Sequence, residues 1–384
     1  MRYRVVHVTT VHARDDTRIR LKEVASLARV WPGEVAVFVQ DGKGDQDDSG
    51  GGVVIRDTGD RARSRLRRMT IGAFAMYRAV RRARPYLVHF HDPEFIPWAV
   101  LLRLSGIKVI YDVHEDLPRQ MLSKHWIPQS LRGVLARLTE ALEVLAAKVF
   151  DGIVAATPTI AHRFSEKKTV TVQNFPLLHE FALIVAKPAG DRRPAFAYVG
   201  GITGIRGSLE MVRAVGVLAK RGIECHLELA GSFSPVSHEA QLRDEAGWQR
   251  VHFRGFLDRR GVASLLTSVC GGLVLLHPTA NYMDALPVKL FEYMAAGLPV
   301  IASDFPLWRE IVHGAGCGLL VNPLDPGAIA DAMQWILEHP QEAANMGQRG
   351  RAAIEALYNW ESESQKLIAM YRRVMPNLSQ RTAA

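Results

Sequence analysis

The chain has 384 residues, 48% hydrophobic and 23% charged, with a net charge of +9. That is enough chain for two domains of ordinary size, and the balance is that of a globular protein rather than a disordered or fibrous one. No run of eighteen apolar residues is present, so no spanning helix is expected. The opening Met-Arg-Tyr-Arg-Val-Val-His-Val reads as a short strand and lacks a signal-peptide core. Cys225, Cys270 and Cys317 are widely spaced and read as reduced core thiols of a cytoplasmic protein.

Residues 3–9 form an apolar strand pattern, 10–18 a polar loop, 19–29 a helical pattern and 34–39 another strand. This strand–loop–helix–strand order opens a parallel sheet. Ligands of such sheets lie at the carboxyl ends of strands, which places His12, Arg14, Asp16 and Arg18 for contact. Equally, Asp15, Asp16 or Thr17 serves as a helix cap. No G-x-G-x-x-G follows the strand, which weakens a dinucleotide reading. Residues 41–52 read as a flexible acidic loop without a metal site.

Arginines crowd residues 61–68 and recur at Arg78, Arg81, Arg82 and Arg84, with Met-Thr-Ile-Gly-Ala-Phe-Ala-Met-Tyr between them. The segment is basic and amphipathic. It fits a solvated surface, an anionic membrane face or a phosphate-bearing lipid acceptor. Nucleic acid is not expected, because no aromatic-interleaved or zinc-type module accompanies the charge.

Leu-Val-His-Phe-His-Asp-Pro-Glu at 87–94 is a strand ending at His91 and Asp92. Lys-Val-Ile-Tyr-Asp-Val-His-Glu at 108–115 repeats the design, with Asp112, His114 and Glu115 at its tip. One histidine at a strand end is ordinarily structural, but two such tips in one sheet favour a site. Residues 126–147 are mostly helical, 150–157 form a strand, and 170–176 end the first domain. A linker is expected at 177–194, and the pattern restarts at 195–199.

Residues 200–207 form a glycine-rich loop between that strand and a helix at 208–220. Gly200 and Gly201 let backbone amides approach a diphosphate, and Arg206 adds a forked cation. Strands follow at 226–231, at 251–256 with Gly255 near its tip, and at 272–277. Residues 281–303 read as loop, helix, tight stop and strand. Pro287 suits the first helical turn, and Gly297 falls just past the end. Lys289 and Glu292 share a face near the amino terminus of this helix, where free N–H groups and the dipole favour an anion. The same spacing also fits an exposed ion pair. Glu310-Ile-Val and 317–321 are expected to complete the sheet. Helices follow at 326–338, 340–357 and 360–374.

The stretch 281–303 resembles the nucleotide-sugar signature of retaining GT-B glycosyltransferases of family 4, glycosyl transferases group 1. That signature has two acidic residues separated by seven positions, a small-residue turn and Pro-Val; here they are Asp284 and Glu292. The family usually has Glu where Asp284 stands. The resemblance implies an α/β fold of two Rossmann-like, doubly wound parallel-sheet domains facing an interdomain cleft. It divides the chain into an acceptor-side domain at 1–176, a linker, a donor-binding domain at 195–357 and a helix at 358–384 that crosses back. It implies that Glu292 binds the donor ribose and Asp284 faces the transferred sugar. It makes His114 the active-site histidine, with His91 and Asp92 beside it and His12, Arg18 and Glu115 on the acceptor side. Arg206-Gly207 matches the family's basic residue and glycine. Gly201-Ile202 stands where a second basic residue is usual, and Lys289 is the replacement. Gly200, Gly201, Gly255 and Asn281 complete the donor contacts.

The expected reaction transfers a hexosyl unit from a nucleotide-diphosphate sugar to a glycan or lipid-linked acceptor. Retention of configuration is implied, in cell-surface polysaccharide or glycolipid synthesis. His114, Arg206, Lys289 and Asp284 carry it. No cofactor or metal is expected, because no Asp-x-Asp motif sits in a suitable loop and the cations serve instead. The expected place is the cytoplasm, including the inner membrane face. A sugar-nucleotide epimerase of the same fold and a non-catalytic basic membrane adaptor remain as alternatives.

Overall fold

A computed structural model describes residues 3–48, 52–62, 64–123, 127–182 and 192–376. The chain divides into two compact units, Met1–Asn174 with Glu361–Ala384, and Phe175–Trp360. Half of the linker expected at 177–194, residues 183–191, lies outside the described residues; Leu178–Ala182 is a short helix of the second unit, and residues 193–194 already belong to a strand.

Unit 1 holds an eight-stranded sheet in the order β3-β4-β2-β1-β5-β6-β7-β8. The strands are β1 Val5–Val8, β2 Val35–Val39, β3 Gln46–Asp48, β4 Val53–Asp57, β5 Leu87–Phe90, β6 Lys108–Val113, β7 Gly152–Ala155 and β8 Thr169–Thr171. All pairings are parallel except β3 with β4. Strands β1, β2, β5 and β7 are buried along their whole length, as central parallel strands covered on both faces must be.

Unit 2 holds six parallel strands in the order β11-β10-β9-β12-β13-β14. They are β9 Arg193–Val199, β10 His226–Ala230, β11 Val251–Gly255, β12 Val269–Val274, β13 Val300–Ser303 and β14 Gly318–Val321. Two apolar layers sandwich this sheet. One centres on Phe291, Met294 and Trp308, the other on Met211, Val215 and Met333.

Three expectations need correction. Residues 41–52 are not a plain loop, because 46–48 form edge strand β3, fastened to β4 by Arg56 on Asp47 at 2.7 Å. Glu310-Ile-Val is not a strand but part of the helix Pro306–Ala315. Pro306 at its start, Gly316 in the left-handed conformation at its end, and burial of Trp308, Ile311 and Val312 at helical spacing explain this. Residues 281–287 are not all loop, because Ala280–Met283 forms a helical turn with Asp284 as its cap. Pro287 then precedes the helix Val288–Ala295 as its amino-terminal cap residue.

Candidate active site

In unit 1 the chain runs outward from β1 to β2 and β4, then returns past β1 to continue through β5, β6, β7 and β8. The strand order therefore reverses between β1 and β5, where open α/β sheets place ligands. The segments leaving these two strands are laced together by Asp92. Its carboxylate accepts from the Thr10 N–H at 2.6 Å and the Thr9 hydroxyl at 2.8 Å, and it lies 3.1 Å from His12 Nδ1. Burial works against its ionisation, but the bonds from His12, Thr10 and Thr9 hold Asp92 down at about 2. In return, Asp92 outweighs the burial of His12 and raises its pKa.

The tip of β6 adds Asp112, fully buried, with Oδ2 2.7 Å from His114 Nε2 and 3.2 Å from His91 Nδ1. Arg18 grips Asp112 through two bonds of 3.0 and 2.9 Å. Burial opposes the charge of Asp112, yet Arg18 and His114 hold it well below the usual carboxylate range. Arg18 also lies 3.1 Å from Glu23 Oε1 and donates to the Val172 carbonyl at 2.9 Å. Its guanidinium is therefore turned inward and spent. The acceptor-side contact expected of Arg18 becomes a positioning role, and its cap is Asp16, whose side chain accepts from the Ile19 N–H at 3.0 Å. The helical stretch that carries Arg18, Thr17–Val24, is wound as a π-helix.

His91 is likewise internal. Burial pushes it down to about 4, so it is a neutral link between Asp112 and His7 Nδ1, which lies 2.9 Å from its Nε2. Behind it, Tyr371 from the helix Trp360–Val374 places its hydroxyl 2.6 Å from His89 Nδ1 and 3.1 Å from His7 Nε2. His7, Glu23, His89 and His91, and separately His91, Asp112 and His114, bring donor atoms within 4.8 Å of one another, close enough for an ion. His7, His89 and Tyr371 were missed as parts of this network. The one signal was histidine at alternate positions 89 and 91, both on one side of a strand. The bonds that hold His114 use Nε2; among the described residues its Nδ1 bonds to nothing, and the ring is partly exposed. Glu115 does not join the group, because it is exposed and accepts from Gln120.

In unit 2 the order reverses between β9 and β12, so the loops after these strands should carry the ligand. The loop after β9 is the glycine-rich segment 200–207. Gly207 has φ +74°, and a Cβ there would stand 2.1 Å from the Leu275 carbonyl oxygen. Gly207→Ala is expected to cost about 1–3 kcal/mol in denaturant unfolding, by strain and overpacking together. An unchanged midpoint would contradict this packing. Ser208 Oγ fastens the helix Ser208–Lys220 to the loop by donating to the Thr203 carbonyl at 2.9 Å, and it lies 2.7 Å from His238 Nε2.

The helix Val288–Ala295 is pinned to β9 by the Tyr293 hydroxyl, which accepts from the Val199 N–H at 2.9 Å. This brings Lys289 to the glycine loop. Its Nζ sits 3.7 Å from the centre of the Tyr198 ring, and a Cβ on Gly200 would meet it at 3.0 Å. The residue is half-buried overall, but Nζ itself is sealed from solvent and has no hydrogen-bond partner among the described residues. Burial, then the charge of Arg206, drive its pKa well below the ordinary lysine value; Glu292 opposes them. Arg206 lies over Gly201, with Nε 3.4 Å from the Tyr282 hydroxyl. Asn281, Asp284 and Glu292 are half-buried in the same region of unit 2, and the loop bearing Asp284 is held by Trp308 Nε1 donating to the Ala285 carbonyl at 2.7 Å. Gly255 ends β11, and its carbonyl accepts from the Gly231 N–H at 2.8 Å.

Unit 2 thus presents a glycine loop, a poised guanidinium and a sealed amine at one switch point. Unit 1 presents a histidine held by a buried carboxylate at another. Two family models match these stretches: "Glycosyltransferase Family 4" over residues 24–174 and "Glycosyl transferases group 1" over 182–353. The chain is a family 4 glycosyltransferase. D-rhamnosyltransferase WbpZ of Pseudomonas aeruginosa is 29% identical to this glycosyltransferase over 312 residues, 75% of this chain and 74% of that one. Its fold is that of sucrose-phosphate synthase from Thermosynechococcus elongatus, at TM-score 0.78 and 21% identity over 98% of this chain and 100% of that one. The Anabaena HepE protein in complex with UDP-glucose matches at TM-score 0.69 and 13% identity, over 98% of this chain and 99% of that one. The glycosyltransferase therefore has the GT-B fold. Among its described residues, no helix is long and apolar enough to cross a membrane.

Proposed function

We propose that the enzyme transfers a hexosyl unit from a nucleotide-diphosphate sugar, with retention of configuration and without a metal ion. The acceptor is a glycan or a lipid-linked sugar, in cell-surface polysaccharide or glycolipid synthesis. The observation that carries this reading is Lys289 Nζ, sealed and without a hydrogen-bond partner among the described residues, beside Arg206 and the glycine loop. A buried amine without a hydrogen bond is costly unless something occupies the space before it. A diphosphate supplies the missing charge and acceptors, and Lys289 and Arg206 together stabilise the negative charge that grows on it as the sugar leaves. These two cations fill the place that a metal takes in other transferases.

Glu292 is suited to the ribose hydroxyls, and Asp284, on the short turn held by Trp308, to the transferred sugar. Asp284 is one methylene shorter than the usual Glu. His114, fixed through Nε2 by Asp112, offers Nδ1 to position the sugar or acceptor. His12 carries a raised pKa and stands beside it, with ring centroids 5.0 Å apart. HepE holds UDP-glucose and WbpZ is a rhamnosyltransferase, which supports a nucleotide sugar as donor here.

A thermal-shift panel of UDP, GDP and ADP tests the donor class. At one hundred times its dissociation constant, the right nucleotide adds about 2.7 kcal/mol of stability. Glu292→Ala should lose most of that shift. No response to any of the three, or an undiminished response in Glu292→Ala, overturns the assignment. The anomeric configuration of the product, read by nuclear magnetic resonance, tests retention.

A further inference from the structure

Amphipathic helices of a globular protein ordinarily turn their apolar side to the core. The helix Gln129–Val149 does the reverse. Leu131, Leu135, Leu138, Leu142, Leu145 and Val149, spaced by four and three in turn, all point outward; Leu138 is 61% and Leu145 60% exposed. Its inner side is mostly small or polar, with Ala136, Ala146 and Ala147 buried, Val144 partly buried against the core, and Glu143 bonded to Tyr111 at 2.8 Å and to Arg163 at 2.5 Å. Glu140 also turns toward Arg163, at 3.8 Å. By helical spacing, Arg137 and Lys148 edge the leucine stripe on one flank and Arg132 on the other. The outward side is therefore leucine bordered by cations, with both acids withdrawn.

The stripe belongs to a larger surface. The crossovers after β4, β5 and β6 are expected on one side of the sheet by their common hand. The helices there pack in order, Ala73–Ala83 on Ile96–Leu104 and the latter on Gln129–Val149. Among the described residues of unit 1, every exposed large hydrophobic lies between Leu66 and Val149. The segment 64–84 contains no acidic residue, and its Arg67, Arg78, Arg81 and Arg82 are exposed.

We propose that this helical side of unit 1 docks on an anionic lipid bilayer. The helix Gln129–Val149 lies in the plane of the interface, its leucine stripe in the acyl boundary and the arginine segment over the headgroups. A long helix with an apolar side and a cationic border is the pattern of an interfacial helix. Each basic residue near an anionic leaflet adds to the attraction. A second copy of the chain fits less well. A twofold interface sets a surface against itself, and here it would bring arginine-rich, acid-free segments together.

Vesicle flotation tests this. The full chain is mixed with vesicles of phosphatidylcholine alone or with phosphatidylglycerol added. Binding is expected only with phosphatidylglycerol, and it should fall with salt. Leu138→Glu with Leu142→Glu should lower the bound fraction about tenfold or more, and Arg137→Gln with Lys148→Gln should weaken the preference for phosphatidylglycerol. Both pairs lie on the surface, so melting temperature and nucleotide response should be unchanged, which separates this inference from the donor reading. No flotation of the wild type, or flotation unaffected by the paired glutamates, overturns the proposal. So does light scattering that shows a dimer which the paired glutamates convert to monomer, because a second copy then covers the stripe.

Discussion

Replacing Lys289 with methionine is expected to lower kcat/KM about 10²–10³-fold, roughly 2.7–4 kcal/mol of transition-state stabilisation. Methionine keeps the unbranched apolar stem, one atom shorter, and removes the charge. The loss should exceed that of a surface lysine, because Nζ is sealed beside the glycine loop and its field is little screened. Without ligand, the variant should melt no lower than wild type, since a buried amine without a hydrogen bond contributes little to stability. Activity and stability then move in different directions, which simple unfolding does not produce. Steady-state kinetics with a stability curve check this. A variant with full turnover removes Lys289 from the reaction.

Asp112→Ala is expected to destabilise unit 1 by about 3–5 kcal/mol, the cost of removing one member of a buried ion-pair network. Its main partner is Arg18, almost wholly buried, which donates two bonds to Asp112 and would keep Glu23 as its remaining carboxylate. The pH dependence has a definite sign. Asp112 titrates lower in the folded protein than in the unfolded chain. Its contribution is present above the ordinary aspartate pKa and is lost as pH falls through the folded value. Glu23 behaves oppositely. Burial and the charge of Asp112 raise its pKa, so its ionisation costs stability as pH rises above the ordinary glutamate range. Glu23→Gln should therefore be neutral or stabilising at pH 7, while Asp112→Ala unfolds the unit early. Urea unfolding of the two variants at pH 5 and pH 7 checks both. A cost below about 1 kcal/mol for Asp112→Ala would place that pair among screened surface pairs.

The strands near both sites were legible because buried parallel strands read as unbroken apolar runs, as in Val-Ala-Val-Phe-Val at 35–39. The glycine loop and the Lys289 helix were legible because glycine, proline and the helix period punctuate them. Pro306–Ala315 was not, because Ile311 and Val312 taken alone favour a strand, and only the burial of Trp308 three and four residues earlier shows the helical side. Arg18 carried no mark of its inward role, since charge in a loop-to-helix segment reads the same whether solvated or paired with Asp112. The outward turn of the leucines in Gln129–Val149 was not legible either. Periodicity tells that a helix has an apolar side, and it does not tell whether core or something outside the chain covers that side.

The central claim is that a diphosphate binds against Lys289. In the ligand-free protein the amine titrates well below the ordinary lysine range, and a bound diphosphate would restore its proton. Binding should then take up a proton, and affinity should fall as pH rises from the free-state pKa toward the bound-state pKa. Calorimetric titration with the nucleoside diphosphate that gives the thermal shift, at one pH in two buffers of different ionisation enthalpy, reads this uptake directly. The account predicts uptake in the wild type, reduced in Lys289→Met to whatever the diphosphate itself contributes. Equal uptake in both proteins, or undiminished affinity in Lys289→Met, would contradict it.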